Sequence, residues 1–600
     1  MSDPSIGQVT EFVAESLARH GRNPDYLLQH LIVLQHRFSC VPAAAVDALA
    51  TELGVTRTQI RAAIDFYAFL HETPRGDFDI LFSDNITDRM LGNQRLMRLL
   101  CERLGVESGV PRADGRVTVG LTSCTGMCDQ GPALLVNGMA VTNLDAQRVD
   151  RIADLVEMGT PLEHWPGAYF VVEDNIRRKG LLLSNPATDA AGLRAMLEKG
   201  AEAALAEVER SGLRGRGGAG FTTALKWKFC REAPGGERFV VCNADEGEPG
   251  TFKDRVLLTS YADLMFEGMT ICAGVIGARR GFLYLRGEYR YLVPHLEAVL
   301  ARRRAQGLLG EAILGHEGFD FDIAIHLGAG AYICGEESAL IESLEGKRGV
   351  TRKRPPFPVT SGYQGNPTVV NNVETFLAAA RVVQWGGYWF RGEGTDKSAG
   401  SKILSVSGDV ARHGIYEYPF GTPVHRVLTD CGAANPQAVQ ISGAAGATLA
   451  PAELDRIIAF EDLPTAGSFM VFDASRDMLD MVRNFAHFFA HESCGFCTPC
   501  RVGGALLRNL VEKVAAGQAS EYDLAEMRHI GAVMKSASYC GLGATAPNHV
   551  LQTLDKFPAI YRRLLRSAEY TPSFDLDAAL SEARQITGRN DAGAHLEVEV

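Results

Sequence analysis

The 600-residue sequence has no apolar run near the ~18 residues that a membrane-spanning helix requires. Its nearest candidate, residues 269–278, is about half that length and contains Thr270. There is no basic surplus either: 60 Lys and Arg stand against 72 Asp and Glu, a net charge of −12. That excludes the basic stripe of a nucleic-acid-binding domain. The opening residues, MSDPSIGQVTEF, carry neither the basic nor the apolar region of a secretory leader. No membrane span, no nucleic-acid partner and a cytoplasmic location are therefore expected. What is present is ordinary for a globular protein, 46 % apolar and 22 % charged residues. At ~150 residues per domain, the length predicts about four domains. The 13 cysteines are odd in number in a large chain, which fits a disulfide framework poorly. They divide instead into ligands and small buried hydrophobes.

The first 76 residues read as helical, with Phe12, Leu17, Leu27, Leu31, Leu34 and Phe38 at helical spacing and a helix over 43–53 after Pro42. A small α/β domain is expected over 77–156. There Phe78, Ile80 and Phe82 alternate, Met97, Leu100, Cys101 and Leu104 share a helix face, and Asn137-Gly138 between apolar runs marks a hairpin. Residues 157–175, with Pro161, Trp165 and Pro166, read as a linker. Residues 176–395 are Gly-rich mixed α/β, with apolar runs at 239–242 and 282–285 typical of strands covered on both faces. Short strands are expected over 396–474. Helices are expected over 475–565, with apolar stripes Met478/Val482/Phe485/Phe489, Leu506/Leu510/Val514 and Leu524/Met527/Ile530/Met534. A tail of little signal covers 566–600.

Cys494-Gly-Phe-Cys497-Thr-Pro-Cys500 puts three thiols on one tight loop, and Cys540 is the only cysteine beyond it. A [4Fe–4S] cube takes four thiolates, three of which such a loop can supply. A zinc site or a redox dithiol is the plain alternative; zinc also takes four cysteines, but usually as two separated pairs, so the three-plus-one spacing favours iron and sulfur.

Residues 211–221, SGLRGRGGAGF, hold five glycines from Gly212 to Gly220. Exposed backbone N–H groups there, with Lys226 and the start of a following helix, suit a phosphate. Alone, the stretch reads equally well as a flexible loop. Next, NADEGEPGTFKDR (243–255) sets Asp245, Glu246 and Glu248 after an apolar strand, where α/β sheets bind ligands. GAGAYICGEESAL (328–340) precedes another helix, so simple capping is the plain alternative for Glu336 and Glu337. VNNVET (370–375) completes the set. Carboxylates suit ribose hydroxyls, and Asn with backbone groups suits a flavin ring.

These four stretches, with CGFCTPCR and YCGLG, resemble in order the NADH-binding flavoprotein subunit of complex I and its relatives, over about residues 176–565. Residues 1–156 resemble the thioredoxin-like [2Fe–2S] subunit that accompanies it. Such a fusion looks most like the diaphorase flavoprotein subunits of NAD-reducing [NiFe]-hydrogenases. NAD-dependent formate dehydrogenases, complex I itself and a non-catalytic electron-transfer or assembly protein are the alternatives.

The resemblance implies a multidomain α/β protein: a helical and thioredoxin-like front, an FMN-binding α/β domain, a ubiquitin-like β domain and a helical [4Fe–4S] domain. It implies FMN against Gly215, Gly217, Lys226, Asn243, Asp245, Glu246, Tyr332, Gly335, Glu336, Asn371, Asn372 and Thr375. It implies NAD over the flavin at Gly218, Ala219, Gly220, Phe221, Phe229, Glu248, Glu337 and Phe357, with core packing as the plain alternative for Phe221 and Phe357. Hydride transfer needs no protein acid or base, only positioning, here by Glu246, Glu248 and Glu337. Arg354 stands where close relatives would carry Lys. A cube at Cys494, Cys497, Cys500 and Cys540 would exchange single electrons with an iron–sulfur partner subunit and, through it, a [NiFe]-hydrogenase pair.

The thioredoxin-like family carries two cysteine pairs. Cys124 and Cys128 are the second, but the stretch that should hold the first, FSDNITD (82–88), has none. This domain is therefore expected to bind no [2Fe–2S] cluster and to serve as a scaffold. The alternatives are a cluster with Ser83 or Asp88 as a ligand, or a reactive dithiol. Cys40, Cys101, Cys230, Cys242, Cys272, Cys334 and Cys431 are expected to pack, with Cys334 near the flavin.

Overall fold

The computed structural model describes residues 4–184, 190–566 and 576–589; most of the expected tail lies outside the described residues. Helices Ile6–His20, Leu27–Phe38, Ala43–Leu53 and Arg57–Phe66 open the chain. Ser5 and Thr56 each begin a helix with a capping box, satisfying amides that would otherwise lack partners. The apolar faces of these helices share one core with Cys334, Leu340, Ile341 and Leu344. Tyr67 locks that contact, its hydroxyl lying 2.6 Å from Ser343 Oγ and donating to Lys347 O at 2.8 Å.

Strands β1 (Phe78–Ser83), β2 (Val117–Thr122), β3 (Leu134–Val136) and β4 (Met139–Val141) form a sheet in the order β2-β1-β3-β4. Asn137 and Gly138 both take positive φ, 48° and 81°, as the tight β3–β4 turn requires. The stretch expected as a linker, 157–175, packs onto this sheet. Trp165 stacks on Phe78 at 5.9 Å between ring centres, and Tyr169 is buried beside it. Its aromatic residues, not its prolines, decide its path.

Strand β5 (Ile176–Arg178) comes next in the chain. Strands β6 (Phe239–Ala244), β7 (Arg280–Leu285), β8 (Asp322–Leu327) and β9 (Thr368–Asn372) then form a parallel sheet in the order β8-β7-β6-β9. Helices Ala262–Ile276 and Val373–Trp385 are buried almost throughout and pack on each other. The apolar run at 269–278 is thus core. Among the described residues, no single helix is long and apolar enough to cross a membrane.

Strands β10 (Ser401–Gly408), β11 (Gly414–Pro419), β12 (Pro436–Ile441), β13 (Ala447–Leu449) and β14 (Ser468–Asp473) form the third sheet, with helix Val424–Cys431 against it. Its order is β13-β12-β14-β10-β11-β5, so β5 joins from far up the chain. The buried Glu417 carboxylate fastens the segment after β5, accepting from the amides of Gly180, Leu182 and Leu183 at 2.9, 2.6 and 2.9 Å.

Helices Met478–Glu492, Thr498–Ala515, Glu521–Ala537, Gly541–Thr545, Asn548–Lys556 and Ala559–Arg562 make the last domain. Met478, Val482, Phe485 and Phe489 are buried as expected. In helix Thr498–Ala515 the expected stripe holds at Val514 and is displaced by one residue before it. Leu506 is 44 % exposed, and Gly503, Leu507, Val511 and Val514 face the core. Gly503 decides the face: a Cβ there would lie 2.6 Å from Met534 Cγ, so the helices meet where the side chain is missing.

Candidate functional site

The glycine loop joins helix Ala201–Ser211 to helix Thr223–Glu232 and lies at the carboxyl end of β9. It is closed by the Gly215 amide on Phe221 O at 2.8 Å and tied down by the Arg216 amide on Thr375 Oγ1 at 2.9 Å. Gly217 and Ala219 are exposed, and Gly218 is half-buried. Gly220 has φ +66°, and a Cβ there would run into the Phe460 ring. A Cβ on Gly217 would come within 3.3 Å of Asn372 Cβ. The loop is a fitted shelf, and the flexible-loop alternative does not describe it. Lys226, on the following helix, donates to Glu337 Oε2 at 2.7 Å and to Val370 O at 2.9 Å. Phe221, Phe229 and Phe357 are 48, 43 and 52 % exposed, so core packing does not account for them.

The carboxyl ends of β6 and β9 bring the remaining residues together. Asn371 Oδ1 accepts from Trp227 Nε1 at 2.9 Å. Asn372 caps helix Val373–Trp385 and donates to Asp254 Oδ2 at 2.7 Å. Asn243 Nδ2 donates to Gly335 O at 2.8 Å. Asp245 Oδ2 is buried without a hydrogen-bond partner, and burial pushes this carboxyl well above its usual range. Such an orphaned acceptor beside a shaped shelf is the kind of group that a flavin ring's donors would satisfy.

Two acids are used differently from the expectation. The Glu246 carboxylate caps helix Lys253–Ser260 through the amides of Asp254 (2.8 Å) and Arg255 (3.2 Å) and accepts from Tyr289 at 2.8 Å. Glu336 caps helix Glu337–Leu344 through Ser338 and Ala339, and Arg354 stands 3.2 Å from its other oxygen. Capping therefore describes both side chains. Glu248 accepts from the Tyr332 hydroxyl and from Ala445 N at 3.0 Å, and burial raises it to about 7. Lys253, Asp254, Glu374 and Lys402 form a buried charge cluster where β10 meets this domain. It was not expected, and its one signal in the sequence is a Lys inside the otherwise uncharged β10.

Cys494, Cys497, Cys500 and Cys540 are all free thiols packed around one core. Cys500 shares a contact with Ser493 Oγ at 3.2 Å. Burial first, then the neighbouring Cys497, Cys540 and Cys494, push its thiol up to about 11. Among the described residues, no three His, Cys, Asp or Glu side chains close on a single metal ion. A cube asks for a wider array, because its four thiolates go to four different irons. Four cysteines around one core are the donors that such a cluster takes, so the donor set fits it.

The thioredoxin-like domain does not fit its family's cluster as well. Cys124 Sγ and Cys128 Sγ lie 3.6 Å apart. The place of the missing pair is filled by Asn85, whose Nδ2 faces Ser83 Oγ (3.0 Å), Asp88 Oδ2 (2.7 Å), Cys124 Sγ (3.2 Å) and Cys128 Sγ (3.5 Å). Its Oδ1 caps the next helix at Thr87 and Asp88, which holds the amide in place. The hydrogen bond from Cys128 lowers Cys124 to about 6, while the same contact raises Cys128. The loop is seated on the flavin-type domain: Arg286 donates to Cys124 O at 2.6 Å, and a buried Arg255–Asp129 pair closes at 2.8 Å.

Three family descriptions match the chain: a thioredoxin-like [2Fe–2S] ferredoxin over 13–157, the Nuo51 FMN-binding domain over 208–381, and the NADH-ubiquinone oxidoreductase-F iron–sulfur binding region over 480–564. Together with the fold, they define an oxidoreductase of the complex I flavoprotein class, with FMN-binding, thioredoxin-like and [4Fe–4S] domains. The NAD-reducing hydrogenase HoxS subunit alpha of Cupriavidus necator is 44 % identical, over 94 % of this chain and 96 % of that one. An NADH-quinone oxidoreductase subunit of Aquifex aeolicus is 41 % identical, over 61 % of this chain and 86 % of that one. A crystal structure of NAD+-reducing [NiFe]-hydrogenase in the H2-reduced state superposes with TM-score 0.86 at 45 % identity, covering 96 % of this chain and 100 % of that one. The chain belongs to the family of NAD-reducing hydrogenase alpha subunits.

Proposed function

We propose that the chain is the diaphorase subunit of a soluble, cytoplasmic NAD-reducing hydrogenase, coupling H2 oxidation to NAD+ reduction. When bound, FMN supplies the exchange between a two-electron hydride step and one-electron steps. The glycine loop, Lys226 and Thr375 would hold its phosphate side, and Asn243, Asp245, Tyr332, Gly335, Asn371 and Asn372 its ring side. Glu246 and Glu336 act from behind, each by fixing a helix start. Phe221, Phe229 and Phe357 offer exposed rings for NAD, with Gly218, Ala219, Gly220, Glu248 and Glu337 beside them. The observation that carries the reading is adjacency. The turn Tyr332–Gly335 borders the flavin residues, and the Tyr332 ring packs against the same core as Cys494, Cys497, Cys500 and Cys540.

Beside the cysteine loop, Phe496 and Tyr539 are about half exposed and meet edge to face at 5.5 Å between ring centres. Val502, Leu506 and Val533 are exposed on the adjoining helices. This apolar face supports docking of an iron–sulfur partner subunit next to the cube. Copurification tests the assignment: a nickel–iron pair is expected, and a molybdenum or tungsten subunit would move the chain to a formate dehydrogenase.

The thioredoxin-like domain is proposed to carry no cluster, since Asn85 occupies the place of the missing pair, against Cys124 and Cys128. Iron analysis of the full chain is expected to give about four irons, and about six would install a [2Fe–2S] cluster with Ser83 or Asp88 among its ligands. Glu248 is proposed to favour NAD over NADP, because a carboxylate accepts from a ribose hydroxyl and repels a 2′-phosphate. Glu248→Gln is expected to raise the NADPH/NADH ratio of kcat/KM about tenfold; an unchanged ratio counts against the role.

A further inference from the structure

Glu492 is the last residue of helix Met478–Glu492 and stands two residues before Cys494. A carboxylate at a helix C-terminus opposes the helix dipole. Something must hold it there. Its Oε1 accepts from the Ser123 hydroxyl, next to Cys124 in the thioredoxin-like domain. Its Oε2 accepts from the Tyr332 backbone amide at 2.9 Å. The Tyr332 ring rests on Phe488 of the same helix, 4.9 Å between centres. Tyr332 then donates its hydroxyl to Glu248, which also takes Ala445 N of the β10–β14 domain. One series of contacts thus runs through all four domains from the thioredoxin-like domain onward, passing through Tyr332, and Glu492 joins its first two domains to the flavin side.

We propose that Glu492 is a positioning residue for the flavin site, holding the Tyr332–Gly335 turn against Asn243 and fixing it relative to the cysteine loop. The thioredoxin-like domain thereby gains a role without a cluster: Ser123 orients Glu492. The proposal rests on the FMN reading above.

The test uses the purified full-length chain with its iron–sulfur cube, stripped of FMN and titrated back by flavin fluorescence. Glu492→Ala is expected to weaken FMN binding about tenfold or more, because both hydrogen bonds are lost and Ser123 and the Tyr332 amide are left part-buried without a partner. Glu492→Gln is expected to stay within about twofold of wild type. Its carbonyl still accepts from Tyr332 N, and its amide donates to the Ser123 hydroxyl. Ser123→Ala is expected to weaken binding about threefold. All three are expected to keep about four irons per chain. Wild-type affinity in Glu492→Ala, equal losses in the Ala and Gln variants, or loss of iron with unchanged FMN affinity overturns the proposal. If Glu492→Ala does not accumulate, Ser123→Ala decides, and unchanged affinity there overturns it. A wild-type chain that takes up no FMN refutes the flavin reading itself.

Discussion

Replacing Cys497 with serine is expected to abolish H2-driven NAD+ reduction while leaving the flavin side nearly intact. Cys497 immediately precedes helix Thr498–Ala515 and shares its core with Cys494, Cys500 and Cys540. A neutral serine hydroxyl is a far weaker iron ligand than a thiolate. Outer-shell changes at metal sites already cost about 10–100-fold, so loss of a direct ligand is expected to lower the coupled rate at least about 100-fold. NADH is still expected to bleach the flavin within about threefold of the wild-type rate, because the proposed flavin residues sit on the glycine loop and the ends of β6 and β9, whereas Cys497 starts a helix of the last domain. Stopped-flow flavin absorbance beside coupled turnover separates the two. Equal loss of both would place Cys497 in the flavin site rather than in an electron relay.

Gly220→Ala is expected to empty the flavin site and spare the cube. At φ +66° an L side chain costs about 1–2 kcal/mol. The new methyl also collides with Phe460, and overpacking of that kind costs about 1–3 kcal/mol. The loop relieves roughly 2–5 kcal/mol by opening, which corresponds to FMN binding about 30-fold weaker or more. The purified variant is expected to hold under about 0.1 flavin per chain with about four irons retained. A full complement of flavin would show that the loop is not the phosphate shelf.

The features readable in the sequence were local ones. Runs such as 239–242 and 282–285 gave β6 and β7 because a strand covered on both faces has little choice of residue. The Asn137-Gly138 turn and the three-plus-one cysteines are set by residues within a few positions of each other. What escaped was long-range. Strand β5 is three residues, two of them exposed, and its partner β11 lies more than 200 positions away. The buried face of helix Thr498–Ala515 depended on Met534 meeting Gly503, and two overlapping apolar rows gave the period no means of choosing. For Glu336 the helix start already stood as the plain alternative to an FMN contact, and it takes the carboxylate; Glu246 caps a helix that its own motif begins. Asn85 and Glu492 carried no signal at all, since each matters through partners from other parts of the chain.

Electrons are proposed to follow a single path inside this chain, from NADH through one flavin to one cube. An anaerobic NADH titration of the purified protein probes that path from end to end, followed by flavin absorbance and by spin quantitation of the reduced cluster. About one equivalent of NADH is expected to bleach the flavin, and about half an equivalent more is expected to give about one cluster spin per chain, on about four irons. A flavin that NADH leaves oxidised, or a bleached flavin with no cluster spin at any NADH level, would rule the path out.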